Sequence, residues 1–89
     1  MFNKNVNKNK LKTSLVESIQ RNKSCIDYLT EQLSRAEDMY KLSELRADEV
    51  VVEQIKWILF QIEYNNDLMS ANLKKLGGNA DGLQPFEWK

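Results

Sequence analysis

Histidine is absent from all 89 residues, and cysteine, proline and glycine are scarce, at one, one and three copies. Each scarcity excludes something. Without histidine the chain lacks the side chain most used for acid–base catalysis and one of the commonest metal ligands. Cys25 alone can form neither an internal disulfide nor a thiolate metal site. With no histidine beside it and Asp27 and Glu31 nearby, its thiol is expected to pack rather than react. A single unpaired thiol also fits a reducing compartment.

The backbone breakers are confined to the C-terminal end. Gly77, Gly78, Gly82 and Pro85 all follow residue 76, and nothing before them interrupts the chain. A sheet needs turns at frequent intervals, so long helices are expected. The densest apolar stretch, Trp57-Ile58-Leu59-Phe60, is bounded by Lys56 and Gln61. It is far short of the ~20 residues that span a bilayer. No apolar run follows the first basic residues, so no secretory leader is expected and a cytoplasmic location is the default.

The remaining polar patterns build no reaction centre. Gly77-Gly78 closes a helical segment, whereas a phosphate loop must open one. Glu37 and Asp38 are adjacent, so on a helix their carboxylates diverge. Asn79, Asp81 and Gly82 lack the further ligands of a calcium loop. The expectation is a protein that is not an enzyme, with no catalytic, metal or cofactor-binding residue and no cofactor.

Charge is 29% of the chain and balances to zero, but it is unevenly placed. Lys4, Lys8, Lys10, Lys12, Arg21 and Lys23 stand against Glu17 alone in residues 1–23. Residues 24–70 hold ten acids against Arg35, Lys41, Arg46 and Lys56. A basic end is thus joined to an acidic body. Residues 1–13 read as a flexible, asparagine-rich basic arm, in which Lys4, Lys8, Lys10 and Lys12 could contact an anion such as nucleic acid.

Two stripes at heptad spacing organise the middle. The first runs Leu15, Ile19, Asn22, Ile26, Leu29, Leu33, Ala36, Tyr40 in alternating steps of four and three. The second runs from Val51 or Val52 through Ile55, Ile58 or Leu59, Ile62, Asn65 or Asn66, Met69 and Leu73 to Leu76. Such stripes specify coiled-coil-like packing. Ser14 and Glu17 match a capping box at the start of the first helix. Glu17 with Arg21, Glu31 with Arg35 and Glu37 with Lys41 are acid-first pairs one turn apart. The stripes are out of phase with each other, which requires either a stutter or a turn. Asp48 followed by Glu49 reads as a helix start, which favours a turn near residues 44–48.

The expected fold is therefore all-α: an antiparallel hairpin with helices at about 14–44 and 49–76 and a tail at 77–89. A turn centred near residue 46 or 47 would place Ala36 across from Trp57, Tyr40 near Glu53 and Leu29 near Tyr64. Asn22 and Asn65 or Asn66 fall on the seam near the open end. There they would either fix register or stand in water. The tail ends in Leu83, Phe86 and Trp88, so it either folds back over the second helix or docks on another protein.

The second helix carries more apolar surface than one neighbour can cover. Two hairpins forming a four-helix bundle is the simplest closure, making the chain its own partner as a homodimer or higher oligomer. The functional expectation is a small accessory protein that binds and modulates another macromolecule, most readily a protein. Trp57, Phe60, Tyr64, Phe86 and Trp88 are the candidate anchors, since aromatics dominate binding hot spots. The alternatives are a nucleic-acid binder using the basic arm, and an assembly subunit of a larger oligomer. No membrane partner is expected.

Overall fold

A computed structural model describes residues 4–87, with side chains from residue 7. Helix α1 (Lys4–Ser43, 40 residues) and helix α2 (Arg46–Lys75, 30 residues) pack against each other as an antiparallel hairpin. The fold measures 59 × 24 × 21 Å. The described residues are all-α apart from the turn and the tail. None of their helices is long and apolar enough to cross a membrane.

The seam follows the heptads. Val52, Leu59, Asn66 and Leu73 are the buried positions of α2 and lie seven residues apart. Ile55, Ile62, Met69 and Leu76 flank them, half-buried. Leu15, Asn22, Ile26, Leu29, Leu33, Ala36 and Tyr40 of α1 are half-buried around Ile19, which is fully enclosed. Ile19, Val52, Leu59 and Leu73 are the buried hydrophobic residues among those described. Each such side chain contributes roughly 1.5–3 kcal/mol, so the hairpin's own core is thin.

The turn is tighter and earlier than the sequence implies. Only Glu44 and Leu45 separate the helices. Glu44 adopts a left-handed backbone (φ 54°), and its N–H donates to Tyr40 O at 2.8 Å. It takes the helix-ending role that glycine usually fills. Leu45 is the N-cap of α2 and makes no side-chain cap bond; the Asp48 and Glu49 N–H groups bond its carbonyl at 3.1 and 3.2 Å. Asp48 therefore sits inside the first turn of α2 and accepts a hydrogen bond from the Ser43 hydroxyl.

An earlier turn slides the register by about one helical turn. Tyr40 meets Glu49 (2.5 Å) rather than Glu53. Leu29 borders Ile62 rather than Tyr64. Trp57 does not face Ala36; it is exposed. Asn22 donates through Nδ2 to Asn65 Oδ1 at 3.2 Å, and Asn66 is buried in the seam.

Helix α1 begins at Lys4, ten residues before Ser14. Ser14 and Glu17 are consequently interior positions and form no cap. Extending an established helix costs little per residue, and lysine is a good helix former. With no breaker present, the helix runs on through the basic segment. It is about ten residues longer than α2, so its N-terminal part projects roughly 15 Å past the end of α2.

The tail folds back, but onto α1. The Phe86 N–H donates to Gln20 O at 2.9 Å. Lys23 Nζ donates to Ala80 O (3.1 Å) and Leu83 O (2.8 Å). Arg21 stands 5.5 Å from the centre of the Phe86 ring. Arg35 keeps the expected contact with Glu31, at 2.6 Å.

Candidate functional site

Heptad geometry decides what α2 leaves uncovered. Once Val52, Leu59, Asn66 and Leu73 face α1, residues five positions later in each repeat lie about 140° round the helix, on its outer side. Those include Trp57 and Tyr64, with Phe60 and Leu68 beside them. All four are open: Trp57 is 62% exposed, Phe60 61%, Tyr64 59% and Leu68 48%. They form one stripe of about 16 Å along the outer face of α2. The Trp57 and Phe60 rings stack, with centroids 6.1 Å apart and planes 17° from parallel. Glu53 and Lys56 border them around a shallow apolar hollow.

Of the expected anchors, Trp57, Phe60 and Tyr64 are thus brought together. Phe86 is held apart, against Gln20 and Arg21 of α1. Trp88 lies outside the described residues. The fold-back leaves the aromatic stripe uncovered, because the tail lies on the other helix.

The cationic candidates occupy the projecting end of α1. Lys8, Lys10 and Lys12 lie on the helix itself, and Lys4 lies outside the described side chains. The antiparallel path of α2 brings Lys74 and Lys75 to the same open end. At the opposite end Glu44, Asp48, Glu49 and Glu53 outnumber Lys41 and Arg46. The hairpin is therefore electrically bipolar along its length.

At the turn, charges are tied together. Arg46 reaches Glu49, and also Glu53 at 3.3 Å. The hydrogen bond from Tyr40 holds the Glu49 carboxyl below its usual range. The same bond, with the adjacent negative charge, raises Tyr40 above its ordinary value of 10.0. Glu53 likewise raises Arg46. These pairings brace the turn and converge on no cavity.

Two features escape the sequence patterns. Ser24, Cys25, Tyr28, Leu29 and Ile62 line an apolar hollow beside the seam. Cys25 there is half-buried. Lys23 and Arg21 serve as the tail's anchors, and no local spacing connects them to partners 57 to 65 positions away. Among the described residues no group of side chains could hold a metal ion. No protein-family model, curated protein or solved structure matches the chain.

Proposed function

We propose that this chain is a non-catalytic protein-interaction module whose working surface is the outer face of α2. The observation that carries the reading is the continuous exposure of Trp57, Phe60, Tyr64 and Leu68 on one helix face. Aromatic side chains bring large contact area at low conformational cost and dominate binding energy where they cluster. A contiguous apolar stripe on an otherwise charged molecule marks a binding surface. Its natural complement is the apolar face of another helix, as in groove recognition by amphipathic helices. Pairing two hairpins through this face would give a four-helix assembly.

The test is capture from cell extract by the wild-type chain and by Phe60→Glu and Tyr64→Glu, with helicity followed by circular dichroism. A bound species lost from both folded variants supports the reading. Identical retention by all three overturns it.

A second reading rests on the basic open end, where Lys8, Lys10 and Lys12 project beyond α2 near Lys74 and Lys75. Such a cluster could contact phosphates. It predicts nucleic-acid binding that weakens steeply with salt and is lost when residues 1–12 are removed. Binding indifferent to that deletion overturns this second reading.

A further inference from the structure

Resting on that reading of the outer face of α2, we infer that its occupant is a second copy of this chain, paired antiparallel about a two-fold axis close to residue 62. Three observations converge on this occupant.

The first is the spacing of the stripe. A two-fold interface uses the same patch on both copies, so the patch must complement its own reversal. Phe60 and Tyr64 are equidistant from residue 62, and Trp57 and Leu68 are equidistant from a point half a residue further on. Reversing the helix therefore places Phe60 on Tyr64 and Trp57 on Leu68. Every large exposed side chain of the stripe meets another from the stripe. A flat rotor such as Trp57 facing the more compact Leu68 also suits close packing.

The second is charge along α2. Glu53 lies toward its N-terminal end and Lys74 and Lys75 toward its C-terminal end. Reversal about residue 62 brings Glu53 of one copy within a helical turn of Lys74 of the other. It also brings Lys56 beside Asp67. Both pairs occur twice by symmetry. Parallel pairing in register would instead set each of these charges against its own like.

The third is charge along the whole hairpin. The open end holds Lys8, Lys10, Lys12, Lys74 and Lys75, and at the turn end Glu44, Asp48, Glu49 and Glu53 outnumber Lys41 and Arg46. An antiparallel pair lays the basic end of one copy beside the acidic end of the other. Complementary potentials of this kind select orientation and suppress the wrong one. The two α2 helices then form the centre of the assembly with the α1 helices outside. The basic projections of α1 then lie at opposite ends of the assembly, each beside the acidic turn end of the other copy.

The experiment uses the full chain. Light scattering across a dilution series should give twice the 10.4 kDa of one chain. Phe60→Glu and Tyr64→Glu should each give a single chain with helicity kept. Orientation is read by cysteine cross-linking in a Cys25→Ser background. Gln61→Cys, next to the axis, should form a disulfide between copies under mild oxidation. Gln54→Cys should not, because its two copies would stand about 24 Å apart, far beyond disulfide reach. Rapid cross-linking through Gln54→Cys would overturn the antiparallel arrangement. A dimer that persists in both glutamate variants would overturn the face as well as the occupant. A wild-type monomer that binds an apolar dye, with dye binding lost in Phe60→Glu, would overturn the second copy while leaving the surface reading intact.

Discussion

Asn22 of α1 donates its side-chain amide to Asn65 of α2 across the hairpin, at 3.2 Å. The next residue, Asn66, is turned into the seam between Leu59 and Leu73. Among the described residues its Oδ1 has no hydrogen-bond partner, although it is shut off from solvent. Polar side chains therefore interrupt both apolar stripes at the same level. This alignment gives Asn22 an amide partner, whereas a slip of one turn would set it against Met69 or Gln61. This is how seam asparagines fix register at a cost in stability.

The cost is measurable. A buried acceptor left unpaired destabilises a fold by about 1–3 kcal/mol. Asn66→Leu restores the heptad and is expected to raise stability by that amount in urea denaturation. A less stable variant would mean that the amide makes a contact the fold depends on.

Among the described residues, Ile19 and Leu73 are the large side chains most fully enclosed, at 0% and 1% exposure. Truncating such a residue costs about 2–5 kcal/mol through lost transfer energy and the cavity left behind. Domains of this size have roughly 5–15 kcal/mol in total. Leu73→Ala is therefore expected to leave the hairpin partly unfolded at room temperature, while the exposed Leu42→Ala leaves it unchanged. Circular dichroism during thermal melting distinguishes them.

Glu44 holds the left-handed position of the turn, which costs a non-glycine residue about 1–2 kcal/mol. Glu44→Gly should recover about 1 kcal/mol and raise Tm. The contrary case is Gly78→Ala, where a Cβ would stand 2.5 Å from Leu73 Cδ1. Overpacking of this kind costs about 1–3 kcal/mol. Gly82→Ala is the matched control, since a Cβ there meets nothing within 4 Å.

Lys23 clamps the tail through two carbonyls. Lys23→Met keeps most of the side-chain stem and removes the charge. The expected result is faster amide exchange from Leu83 to Phe86 with the seam of α1 and α2 still protected. Unchanged exchange would show that Phe86 on Gln20 and Arg21 holds the tail unaided.

The turn should respond to pH at both extremes. Glu49 is held below the usual carboxylate range by Tyr40, so its contribution is present at neutral pH and lost as pH falls through that range. Tyr40 is raised above 10.0, so its contribution is present below that value and lost as pH rises past it. Both groups are only half-buried, which keeps the effect small. Tyr40→Phe should flatten both limbs of a Tm against pH curve, and superimposable curves would refute the coupling.

Composition and periodicity determined that the chain is helical, that its two helices pair through Leu15 to Tyr40 and Val52 to Leu76, and that α2 has apolar surface to spare. Those properties are local. They depend on which residues recur every three or four positions, and no distant contact alters that spacing. The tertiary structure decided the rest. Glu44 entered the left-handed region that sequence rules reserve for glycine, and this shortened the turn and moved Tyr40 from Glu53 to Glu49. The choice of Val52, Leu59, Asn66 and Leu73 as the seam of α2 turned Trp57 away from Ala36 and made it the head of an exposed stripe with Phe60 and Tyr64. The tail's choice of α1 rested on Arg21 and Lys23, whose partners are remote in the chain and leave no periodic trace. Register and docking depend on the summed fit of two whole surfaces, where a single turn residue can tip the balance.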